Sequence, residues 1–114
     1  MASNQFKNAT YSGIGTTDQS VYMAPSGKKS VVLQFDVINT LSGVSPVYVD
    51  LFLYDSSKST KIYIRKNMSV AVGESVEGIN FGKKIVLEAN DYLGVKSSDA
   101  SSIDVLISVL EDVN

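Results

Sequence analysis

Apolar and polar residues alternate with a period of two along most of the chain. The alternation is interrupted every eight to twelve residues by Gly, Pro, Ser, Asn or Asp. This is the signature of half-buried β-strands separated by tight turns. Gln5–Tyr11 reads as a first strand, ending at Ser12-Gly13-Ile14-Gly15, and Thr17–Met23 as a second. Ala24-Pro25-Ser26-Gly27-Lys28 then has turn chemistry: proline presets φ at one corner and glycine accepts positive φ near the other. In Lys29–Asn39 the pattern places Val31, Leu33, Phe35 and Val37 on one face and Val32, Gln34, Asp36 and Ile38 on the other. After a loop at Thr40–Pro46, Val47–Tyr54 sets Val47, Val49, Leu51 and Leu53 against Tyr48, Asp50, Phe52 and Tyr54.

The polar loop Asp55–Thr60 reads as a hairpin tip returning through Lys61–Arg65, with Ile62 and Ile64 inward and Lys61, Tyr63 and Arg65 outward. Met68, Val70 and Val72 continue an alternating strand, and Val76–Phe81 gives a further short one. Lys84–Glu88 and Tyr92–Ser97 read as a hairpin about Ala89-Asn90-Asp91, and Ile103–Glu111 as the last strand. No window carries a helical apolar stripe. The expectation is an all-β, single-domain, two-sheet antiparallel β-sandwich of eight to nine strands, jelly-roll or immunoglobulin-like, over residues 1–114 with the first four loose.

Composition narrows the chemistry. The 114 residues include no Cys, His or Trp. Ser-His and Cys-His nucleophile pairs, the usual zinc sites and redox thiols are therefore absent. No carboxylate pair has the setting a glycosidase needs, and neither Asp55-Ser56-Ser57-Lys58 nor Ser98-Asp99-Ala100-Ser101 fits a calcium loop. Gly13 and Gly15 lack the third glycine and the helix of a dinucleotide fingerprint. We therefore expect no enzyme activity, catalytic residue, metal or cofactor. The N-terminal MASNQFKNAT has no apolar core of a secretion signal, and no run approaches a membrane span. Synthesis in a cytoplasm and no membrane partner are the matching expectations.

Net charge is −2, the wrong balance for nucleic acid, but it is unevenly placed. Residues 55–66 carry Lys58, Lys61, Arg65 and Lys66 against Asp55 alone, whereas residues 67–114 carry three lysines against eight carboxylates. Asp36 and Asp50 interrupt apolar strands; if covered, each needs a cation such as Lys29, Arg65 or Lys66. Tyr48, Phe52 and Tyr54 share one side of a strand, with Tyr63 on a neighbour. They read as a second half of the core, an inter-subunit surface, or a platform for sugar rings. Ile103, Val105, Ile107 and Val109 oppose Leu106 and Leu110 on the last strand, and two strands apolar on both faces favour a homo-oligomer.

Three stretches carry a resemblance: Val21–Val32 (VYMAPSGKKSVV), Lys83–Val95 (KKIVLEANDYLGV) and Ile103–Glu111 (IDVLISVLE). Together they resemble small β-sandwich accessory structural proteins of tailed bacteriophage virions, with Asn90 where glycine is usual. The resemblance implies a virion location and a structural role, most simply a capsid decoration or cement protein. It also implies a homotrimer bound to the major capsid protein or another virion protein. Sisters would then meet through Tyr48, Phe52, Tyr54 and Tyr63. Lys58, Lys61, Arg65 and Lys66, with the loops at Gly43 or Asn90, would meet the capsid. The other reading is a tail or fibre module that binds host-surface carbohydrate.

Overall fold

A computed structural model describes residues 5–40, 46–79 and 83–113. The alternating segments form nine strands: β1 (Gln5–Tyr11), β2 (Gln19–Met23), β3 (Lys29–Asn39), β4 (Val47–Asp55), β5 (Thr60–Val70), β6 (Ser75–Glu77), β7 (Ile85–Leu87), β8 (Tyr92–Ser97) and β9 (Ile103–Val113). Every pairing between these strands is antiparallel. One sheet runs β1-β9-β3, with β6 and β7 sharing the far edge of β3; the other runs β2-β8-β4-β5.

The pairs are nested. The hairpin β4–β5 is innermost, enclosed by β3 with β6 and β7, then by β2–β8, and last by β1–β9. Nested pairs laid across two facing sheets are the jelly-roll arrangement, which settles the choice against immunoglobulin-like topology. Val32, Phe35, Val37, Leu87, Ile103 and Ile107 from the five-stranded sheet pack on Val47, Val49, Leu51, Leu93 and Val95 from the four-stranded one. Each such side chain, fully buried, contributes roughly 1.5–3 kcal/mol before chain entropy is charged against it.

Several expectations are corrected. The alternation in β3 slips at a bulge between Val32 and Gln34. Ser30 and Val32 face the core before it and Phe35, Val37 and Asn39 after it, leaving Leu33 largely outside. β5 is one strand from Thr60 to Val70, bent where Asn67 takes φ +52°. Ile62, expected inside, is 54% exposed. The strands at 85–87 and 92–97 are not a hairpin, because β7 pairs with β3 and β8 with β2 and β4 in the other sheet. Ala89-Asn90-Asp91 is a corner between sheets.

Buried Asp91 holds that corner. Its Oδ1 accepts the Ser56 N–H (2.9 Å) and its Oδ2 the Glu88 N–H (3.0 Å). Its carbonyl accepts the Ala24 N–H (2.9 Å), so one residue ties the β2–β3 turn, the β4–β5 hairpin and the β7–β8 corner together. Residues 41–45 of the Thr40–Pro46 loop, with Gly43, lie outside the described residues, as do residues 1–4 and 80–82.

Candidate interaction faces

The outward side of the four-stranded sheet carries most of the residues singled out in the sequence. Phe52 lies on it yet is only 1% exposed. Its ring lies on the bare backbone of Gly94, its cross-strand neighbour on β8. Tyr63 and Tyr92 meet the ring edge-on, with centroids 6.4 and 6.3 Å away. The Lys61 ammonium sits 4.7 Å from its centroid. Tyr54 stacks on Tyr92 at 5.0 Å and 16°. A partner on this face would therefore touch Tyr48 (47% exposed), Tyr54, Tyr63 (41% exposed) and lysine stems, with Phe52 packed beneath Tyr63 and Lys61.

The cations are organised by these rings. Lys61 Nζ donates to Asp18 (2.7 Å) and to the Tyr63 hydroxyl (3.2 Å), and lies 4.9 Å from the Tyr63 ring. Lys66 Nζ lies 4.2 Å from the centroid of that ring and 3.6 Å from Asp50 Oδ2. Cation–ring contacts this open to solvent are screened and order the side chains more than they stabilise the fold. Hydrogen bonding to Asp18, then to Tyr63, raises the Lys61 pKa, and hydrogen bonds from Lys61, then Lys66, lower that of the Tyr63 phenol. Asp50 is buried, and its Oδ1 accepts the Asn67 N–H (2.9 Å). Of the cations considered for it, Lys66 is the one it meets.

The four basic residues do not form one patch. Lys61 and Lys66 lie on the aromatic face and Lys58 at the hairpin tip. Arg65 lines a separate groove of about 320 Å³ with Ile64, Ile79, Lys83 and Lys84. Beside Tyr48 a shallow cleft of about 340 Å³ is bordered by Thr16, Asp50, Asn67, Lys96 and Ser98. Among the described residues no three His, Cys, Asp or Glu side chains gather as metal ligands.

Sequence reasoning missed the outer face of the five-stranded sheet. Phe6 (78% exposed), Leu110, Val31 and Val86 (57% exposed) are successive cross-strand partners on β1, β9, β3 and β7. They make one apolar row across the sheet. The available signal was Leu110, already noted as apolar on the outer side of the last strand.

The fold is thus that of jelly-roll proteins. No protein-family model and no curated protein sequence matches the chain. Among solved structures, 95% of it is similar to part of a chain in the T13 particle of IBDV, infectious bursal disease virus, with a TM-score of 0.58 and 8% identity. It spans only 30% of that viral chain. All of it is similar to 92% of a subunit of Bacillus endospore appendages, described as disulfide-linked pili, with a TM-score of 0.57 and 11% identity. At these identities the likeness is one of fold. This chain has no cysteine, so no disulfide can link its copies.

Proposed function

We propose that this protein is a structural component of a tailed-bacteriophage virion, a decoration or cement protein on the head shell. The observation that carries the reading is that both sheets of a small jelly roll present apolar or aromatic side chains outward, while the inner core is complete without them. Such a chain works by covering and joining surfaces. The similar fold in a virus particle supports the reading, as does the resemblance in Val21–Val32, Lys83–Val95 and Ile103–Glu111.

In this reading the protein is made in the host cytoplasm and assembles into a homotrimer on the particle. Sister copies meet through Tyr48, Tyr54 and Tyr63, supported by Phe52. Lys58 and Arg65, which lie off that face, meet carboxylates of the major capsid protein or another virion protein, while Lys61 and Lys66 border the sister contact. Affinity comes from many symmetric contacts rather than from one site. Co-sedimentation with particles lacking the protein tests this, at 50 and 500 mM salt. The expected result is saturable binding that weakens at high salt, because exposed charge pairs are screened. Absence of binding at either salt concentration, with no density for the chain in imaged particles, overturns it.

A second reading, a tail or fibre module for host-surface carbohydrate, is favoured by the cleft beside Tyr48. There an exposed ring adjoins the polar groups of Asp50, Asn67, Lys96 and Ser98. Glycan-array binding abolished by Tyr48→Ala would establish it, and silence of the array would remove it.

A further inference from the structure

We infer that the outer face of the five-stranded sheet is a self-association surface whose occupant is the same face of a second copy. Phe6, Leu110, Val31 and Val86 lie in register across four strands, a row about 15 Å long at the usual strand spacing. Contiguous apolar surface of this kind, carried by four separate strands, is uncommon on a chain that stays alone. A groove of about 300 Å³ adjoins it, bordered by Phe6, Lys7, Asn8, Leu33 and Ser108.

Charge placement selects the occupant. The apolar row and the next one, Asn8–Ser108–Gln34, contain no ionisable side chain. The Ser108 hydroxyl lies 3.1 Å from Asn8 Oδ1 and 3.4 Å from Gln34 Oε1, so this second row is internally engaged. Carboxylates gather at the other end of the face, with Asp36 opposite Glu77 and Asp104 opposite Ile38. An identical face can therefore approach at the apolar row without like charges meeting. A two-fold axis running along the row lays row on row and turns the two acidic ends in opposite directions. An axis along the strands would overlay those ends and is disfavoured.

The edges of the sheet point the same way. Lys7 on edge strand β1 turns inward to Glu111 (3.2 Å), a charge that discourages a further strand from adding at that edge. Association is therefore face to face rather than edge to edge. A row of four side chains is small beside the roughly 1,600 Å² that a standard interface buries, so the contact is a weak one that gains from copies being held close together. It uses the sheet opposite the aromatic face and does not rest on the virion reading.

Analytical ultracentrifugation of the full chain from 10 μM to 1 mM tests the proposal. The wild type should rise from the 12.3 kDa monomer toward twice that mass. Phe6→Asp and Val86→Asp should each weaken association at least tenfold while melting within a few degrees of the wild type, since both side chains are outside the core. Ile62→Ser, at an exposed residue of the other sheet, should associate as the wild type does. A wild type that stays monomeric throughout, association unchanged by Phe6→Asp and Val86→Asp, or equal loss in Ile62→Ser would each overturn the inference. Particle co-sedimentation of Phe6→Asp separates the two readings: binding that persists leaves the virion role standing whatever becomes of self-association.

Discussion

Phe52 is buried on the outside of the sheet because Gly94 stands opposite it. A Cβ at Gly94 would lie 2.1 Å from Phe52 Cζ, so the missing side chain is the space the ring occupies. The glycine lets an aromatic from the neighbouring strand cover its backbone, and Tyr63, Tyr92 and Lys61 close round the ring. The face that reads in sequence as four sticky aromatics is thus one ring packed within the chain and three that stay partly exposed.

Gly94→Ala should destabilise the protein by about 1–3 kcal/mol, the usual cost of forcing extra volume into a packed site. Urea unfolding measures this directly. In a Phe52→Leu background the same substitution should cost less, because the smaller side chain leaves room. Equal costs in both backgrounds would show that the ring and the glycine are not coupled.

Asp91→Ala should cost about 2–4 kcal/mol, since it orphans the Ser56 and Glu88 N–H groups at a buried corner. Asp91→Asn, which keeps one acceptor oxygen, should cost less. The two variants ranked by thermal melting check the order, and the reverse order would exclude the capping role.

The period-two pattern and the turn residues that bound it were enough to place the ends of β1, β3 and β8. What it could not convey is pairing. Ala89-Asn90-Asp91, with Asn90 at φ +70°, has the same local chemistry in a hairpin and in a corner between sheets; Ala24 and Ser56, distant in sequence, decide between them. The bulge at Leu33 arises where β3 meets β9, and nothing in β3 alone marks it. Burial of Phe52 depends on Gly94, 42 positions on, being set opposite it. Phe6 and Val86 each look like a single apolar residue, and only the sheet joins them with Val31 and Leu110.

Tyr22 should dominate stability at high pH. Burial, then its hydrogen bond to Glu111, pushes the phenol well above the ordinary tyrosine value of 10.0; Ser30 lies 2.7 Å from the same hydroxyl. A folded pKa raised above the unfolded one favours folding fully below about pH 10, and the advantage declines as pH rises beyond it. Tyr22→Phe should cost about 1–2 kcal/mol at pH 7 through the lost hydrogen bonds, yet lose less further stability between pH 9 and 11 than the wild type. Chemical unfolding across that range gives both slopes, and parallel slopes would rule Tyr22 out as their source.

Tyr63 should move the other way in the same titration. Its hydroxyl faces the Lys61 ammonium at 3.2 Å, with Lys66 against the ring, and the two cations favour the phenolate. Tyr63 should therefore ionise below the ordinary tyrosine range and Tyr22 above it, so that resolved tyrosine ring signals in NMR separate the two at opposite ends of the pH series. Lys61→Met removes the larger influence and should return Tyr63 upward while leaving Tyr22 in place. Because the shift arises at an exposed face, high salt should diminish it as well. A Tyr63 midpoint indifferent to both Lys61→Met and salt would mean that the lysines do not gather over this ring in solution, and the cationic half of the aromatic face would then be available to a partner rather than engaged with the chain's own aromatics.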